Sequence, residues 1–126
     1  MDGLLNEFLM ETSESIAVVD AELVKFEQEP NNAEILKNIF RLVHTIKGTS
    51  GFLGLPRLES LAQAGEDVLG KFRNGDLEVT SEAVTLILKA IDAIKDLLAG
   101  LEEAGSELAG DDSALIAELQ ALAAGE

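Results

Sequence analysis

Apolar residues recur at steps of three and four along almost the whole chain, the spacing that draws one face of an α-helix. The first stripe is Leu5, Phe8, Thr12, Ile16, Val19, Leu23 and Phe26, and Pro30 with Asn31 and Asn32 closes it. Asn31, three residues before Glu34, has the spacing of a capping box and predicts the start of a second helix. The second stripe is Ile35, Ile39, Leu42, Val43, Ile46 and Ser50, followed by a break from Gly51 to Leu55. Pro56 suits the first turn of a third helix, which carries Leu58, Leu61, Gly65, Val68, Leu69 and Phe72 and stops around Asn74 and Gly75. Thr80 or Ser81 is the N-cap of a fourth helix, with Val84, Ile87, Ile91, Ile94, Leu98 and Leu101 on its inner face. After a glycine-punctuated acidic stretch, Asp111 or Asp112 caps a short last helix bearing Leu115, Ile116, Leu119 and Leu122.

Strands find no support, because Tyr and Trp are absent and β-branched residues do not alternate with polar ones. Four long amphipathic helices joined by short connections predict an all-α fold, an antiparallel four-helix bundle with a short additional C-terminal helix. The bundle takes in about residues 3–105 and the acidic fifth helix about 112–123. That last helix reads either as a solvated cover for one bundle end or as an element that contacts a partner. No internal repeat or interdomain linker interrupts the pattern, so residues 1–126 read as a single domain.

Composition narrows the function classes. A chain of 126 residues, 47% hydrophobic and 26% charged, suffices for one real core. No apolar run approaches the ~20 residues of a membrane span. The acidic start at Met1, Asp2 and Gly3 lacks the basic segment and apolar run of a secretory signal, so a cytoplasmic location is expected. The absence of cysteine excludes disulfides, thiolate metal sites and cysteine nucleophiles. A net charge of −15, with nine Lys and Arg in all, speaks against nucleic acid and against an anionic membrane surface. After Lys95 no basic residue occurs, while eight acidic ones follow. Proteins or small ligands remain as partners.

One helix face departs from plain core patterning. At about 100° per residue the second stripe centres near Ile39, and His44 points well over 100° away from it, toward solvent. Its helical neighbours are Phe40, Lys47, Gly48 and Gly51. A mid-helix glycine costs about 1 kcal/mol against alanine, and Gly48 and Gly51 are expected to clear an approach to the imidazole. A lone surface histidine or lysine ordinarily signifies only solvation; the combination of imidazole, lysine and glycines on an acidic protein suits a phosphoryl group. Neutral imidazole is a usable nucleophile near neutral pH, its unperturbed pKa being about 6.5. For Nε2 to attack, the proton must sit on Nδ1, where a carboxylate can hold it. Glu66 lies on the flank of the third stripe, placed to reach across to the neighbouring helix.

The run His44-Thr45-Ile46-Lys47-Gly48-Thr49-Ser50-Gly51 resembles the phosphorylation-site helix of histidine phosphotransfer (HPt) domains, in which lysine and glycine follow the histidine by three and four residues. Ile39 to Val43, Gly51 to Leu55, Phe8 to Thr12 and Glu66 to Leu69 are similar to the version in CheA-type chemotaxis histidine kinases, and the likeness covers about residues 4–105. The resemblance implies that His44 is the phosphoacceptor, Glu66 its hydrogen-bond partner and Lys47 part of the local charge network. Many CheA domains carry a histidine three residues before that glutamate; this chain has Gln63, which does not titrate. The implied partners are a histidine kinase catalytic domain and a response-regulator receiver domain. No Walker-type run or strand-borne glycine-rich loop occurs, so no cofactor is expected on this chain; ATP and Mg²⁺ come with partner domains. A stand-alone HPt relay protein and a non-catalytic helical adaptor are the competing readings.

Overall fold

The structure, a computed structural model, describes residues 3–125; the acidic start at Met1 and Asp2, and Glu126, lie outside the described residues. Helices α1 (Gly3–Gln28), α2 (Ala33–Phe52), α3 (Pro56–Asn74) and α4 (Ser81–Ala104) precede a short α5 (Ser113–Ala123), with no strand among the described residues. Connections at 29–32, 53–55 and 75–80 are short, so successive helices run antiparallel. α1 packs on α2 and α4, α3 packs on the same two, and α5 lies against α3 and α4. The most extensive helix pair is α2 with α3, the pair that carries His44 and Glu66.

The core follows the periodicity. Val19, Leu23 and Phe26 of α1, Ile39 of α2, Leu58, Leu61, Val68 and Leu69 of α3, and Val84 and Leu101 of α4 are at or near zero exposure. Phe26 meets Phe72 at a ring separation of 5.9 Å, which ties α1 to α3 across the bundle near their C-terminal ends. Burying an aliphatic side chain of this kind is worth about 1.5–3 kcal/mol. On α2 the buried stripe includes Leu36, whereas Ile35 and Leu42 are half-buried at its margins. The stripe therefore centres slightly further toward α3 than spacing alone suggests.

Both ends of α2 differ from the sequence-based expectation, while Thr80 and Gly75 stand where it put them. The N-cap of α2 is Asn32, not Asn31: its Oδ1 accepts from the Glu34 and Ile35 amides at 3.1 and 3.2 Å. Its extended backbone, φ −80° and ψ 96°, is the conformation a cap requires. α2 also runs on through Gly51 to Phe52, so the break is confined to Leu53, Gly54 and Leu55. Thr80 caps α4, its Oγ1 accepting from the Ala83 amide at 3.1 Å, while Ser81 Oγ donates to Glu27 Oε2 at 2.6 Å. Gly75 ends α3 in the left-handed conformation at φ 77°, which a side chain would resist.

The fifth helix is fastened rather than merely laid on. Asp112 is its N-cap residue, but its carboxylate is held by the Arg57 guanidinium in two bonds of 2.8 Å; the Ser113 amide donates instead to Asp111 Oδ1. Arg57 also donates from Nη1 to the Leu108 carbonyl at 2.8 Å. Glu107 in turn accepts from the Arg57 and Leu58 amides at 3.1 and 2.9 Å. The N-cap residue of α3, Leu55, has no capping side chain, so Glu107 supplies from about fifty residues away what a local cap would give.

Candidate functional site

α2 places His44 on its outer surface, where 61% of the side chain is exposed. Across the α2–α3 seam, Glu66 Oε1 lies 2.7 Å from His44 Nδ1. The other oxygen, Oε2, accepts from Lys47 Nζ at 3.1 Å. One carboxylate thus bridges two residues of α2 spaced three apart, the spacing that puts both on the same helical flank. Glu66 is 13% exposed, and Lys47 22%.

Burial pushes the Glu66 carboxyl upward, but hydrogen bonds from His44 and Lys47 outweigh it, and the net displacement is below the usual value. An ionised carboxylate only accepts, so the proton of a neutral imidazole belongs on Nδ1 and the Nε2 lone pair is free. Among the described residues none hydrogen-bonds Nε2. A nucleophilic nitrogen is therefore aimed outward from a ring whose opposite nitrogen is tethered.

Aromatic contacts hold the ring from a second direction. The Phe40 ring is nearly parallel to that of His44, 6° apart with centroids at 6.2 Å. Arg73 of α3 sets its guanidinium 4.2 Å from the Phe40 ring centre, a cation–π contact. Gly70 lies between Glu66 and Arg73 on α3; a Cβ there would sit 3.8 Å from Phe40 Cε2. In the sequence Phe40 stands out only as a helical neighbour of His44, and Arg73 does not stand out. A signal existed: 66, 70 and 73 step by four and three along one face of α3.

Comparison with known proteins places this arrangement. The sequence pattern of the Hpt domain family matches residues 3–125. The chain belongs to the Hpt domain family. Over 107 residues this Hpt domain is 38% identical to the sensor histidine kinase CheAY of Helicobacter pylori, covering 85% of this chain and 13% of that protein. The chemotaxis protein CheA of Halobacterium salinarum is 37% identical over 105 residues, covering 83% of this chain and 16% of that protein. The chain thus spans under one fifth of the length of these relatives. The phosphorylated P1 domain of CheA3 from R. sphaeroides, solved in complex with CheY6, superimposes with a TM-score of 0.89 at 28% identity. That match covers 99% of this chain and 98% of the other.

Gln63 and Gly51, also singled out in the sequence, stand apart from the His44 cluster. Gln63 does not join the cluster: its Nε2 donates to Asp67 Oδ1 at 2.8 Å, along a groove between α3 and α5. Of the two glycines, only Gly48 is open, with nothing within 4 Å of where its Cβ would be. At Gly51 a Cβ would lie 2.7 Å from Glu59 Oε2, the tip of an exposed side chain of α3 that occupies this position, so Gly51 does not clear a path to His44. The adjoining open surface of the Hpt domain is instead Gly48 and, one turn on, Phe52, which is 80% exposed.

Proposed function

We propose that this Hpt domain accepts a phosphoryl group on Nε2 of His44 from a CheA-type kinase catalytic domain and passes it to the aspartate of a response-regulator receiver in chemotaxis signalling. The observation that carries the reading is the 2.7 Å contact between His44 Nδ1 and Glu66 on a side chain that is 61% exposed. In the first step the Nε2 lone pair forms the N–P bond as the bond from the γ-phosphorus to the ADP oxygen breaks. The proton stays on Nδ1, where Glu66 balances the positive charge gathering on the ring. Lys47, already on the other Glu66 oxygen, offsets phosphoryl charge nearby. In the second step the receiver carboxylate attacks phosphorus, the N–P bond breaks, and the electron pair returns to Nε2.

Phosphoryl transfer is chiefly positioning and electrostatics, so a rigid bundle with one tethered imidazole suffices on this side of the reaction. ATP and Mg²⁺ belong to the partner domains in this reading, and the chain itself does not label from ATP alone. The exchange takes place in the cytoplasm; among the described residues no helix is long and apolar enough to cross a membrane. The test is incubation with labelled ATP and a CheA-type catalytic fragment, then addition of a CheY-type receiver. Acid-labile, base-stable label on His44 that moves to the receiver is expected. A folded chain that stays unlabelled with several such kinases, or that labels equally as His44→Gln, contradicts the reading and favours a helical adaptor.

A further inference from the structure

We infer that Phe52 is the apolar anchor by which the receiver domain docks, seated across the open surface at Gly48 from the phosphorylated His44; the inference rests on the functional reading above. At about 100° per residue, Lys37, Arg41, Gly48 and Phe52 all fall within about 80° of His44 on α2. This is the outer ridge of the helix, opposite the buried side chains Ile39, Val43 and Ile46. On the N-terminal side of His44 the ridge carries Lys37, Phe40 and Arg41; on the C-terminal side it carries Lys47, then Gly48 with nothing near its Cβ position, and then Phe52.

Phe52, at 80%, is the most exposed large apolar side chain among the described residues. Leu4, Met10, Val18 and Val24 are spaced singly along α1 and Leu108 lies between α4 and α5, scattered as surface apolar residues ordinarily are. Phe52 is not so remote from the chemistry. Eight residues at 1.5 Å each put it about 12 Å from His44 along the helix axis. A specific interface buries about 800 Å² on each partner, a disc of about 16 Å radius, so one centred on His44 covers Phe52. An exposed aromatic at that range, beside a glycine with nothing near its Cβ position, has the aromatic character that interfaces are enriched in.

Of the two partners, the receiver is the one that needs this contact. Its acceptor is an aspartate, a side chain of one methylene and a carboxyl group, so its surface must lie flush against α2 to reach Nε2. A kinase offers the γ-phosphoryl at the end of an extended nucleotide and can reach His44 with less of the ridge covered. The similar CheA3 domain was solved with CheY6 bound to its phosphorylated form, so a domain of this shape does accommodate such a partner.

The experiment follows both steps with Phe52→Ser and Phe52→Leu, whose solvent-exposed site leaves the core unaltered. The chain is labelled with a CheA-type catalytic fragment and transfer is timed against a CheY-type receiver that accepts label from the unmodified chain. Phe52→Ser is expected to lower kcat/KM for transfer by about tenfold through KM. The saturating rate and the rate of labelling by the kinase stay within about twofold, and Phe52→Leu recovers part of the loss. Transfer by Phe52→Ser within about twofold of the unmodified chain overturns the inference while the functional reading stands. A loss confined to labelling by the kinase also overturns it, assigning the anchor to the other partner. An unmodified chain that takes up label but yields none to receivers overturns both.

Discussion

α3 carries two carboxylate-centred clusters built from the same ingredients, and they end in opposite conditions. Midway along the helix, Glu66 bridges His44 and Lys47 and, among the described residues, leaves one imidazole nitrogen without a hydrogen-bond partner. At its start, Arg57 spends its guanidinium on Asp112 and the Leu108 carbonyl, while Glu107 takes two backbone amides. The glycines follow the same division. Gly48 beside His44 faces open space, whereas a Cβ at Gly110 would meet Arg57 at 2.8 Å and one at Gly100 would meet Leu108 at 2.6 Å. In the first cluster glycine leaves room for another molecule; in the second it lets the chain close on itself. An ion pair alone does not mark a reactive site; a tethered group with one valence left over does.

Glu66→Gln breaks the first cluster with the largest expected effect. The amide can no longer act as a charged acceptor for Nδ1–H, and misorienting a nucleophile costs about 10²-fold in rate. Timed labelling of His44 by a kinase fragment checks this, with helix content as the control for folding. A rate within about twofold of the unmodified chain would mean that the contact is only structural.

Arg57→Ala breaks the second cluster and should do the reverse. Asp112 and the Leu108 carbonyl lose their donors, for a loss of about 1–3 kcal/mol in urea denaturation. Hydrogen exchange should rise in residues 107–123 while labelling of His44 changes by less than about twofold. Labelling that falls as far as in Glu66→Gln would abolish the distinction between the two clusters.

The smallest effect is on stability against pH. With its pKa below the ordinary value of 4.5 in the folded chain, Glu66 contributes stability at neutral pH that is lost as pH falls through its folded pKa. The difference in stability between the unmodified chain and Glu66→Gln should therefore shrink on acidification below that value. A difference independent of pH would remove Glu66 from the charge balance of the site.

How much of this was legible beforehand differs between the same two regions. The helices were, because burial of one face imposes steps of three and four, and Val19, Ile39, Leu69 and Ile87 each stand where the stripes put them. His44, Lys47 and Glu66 could be suspected of meeting because two lie one turn apart and the third flanks the adjoining stripe. The clasp of Arg57, Glu107 and Asp112 was invisible: Arg57 lies about fifty residues from the other two and shares no periodicity with them. Gly51 and Gly48 look alike in sequence, and only the position of Glu59 on α3 separates them. Asn31 and Asn32 are the same residue type, and the backbone conformation alone decides which one caps α2.

The most direct test of the central claim is ¹⁵N NMR of the imidazole of His44 before and after phosphorylation. The geometry predicts a proton on Nδ1 in the neutral ring, lost from that preference in Glu66→Gln, and phosphorus attached to Nε2 after labelling. Phosphorus on Nδ1, or a neutral ring protonated on Nε2, would contradict the account, because Glu66 would then not be holding the nitrogen that the mechanism requires it to hold.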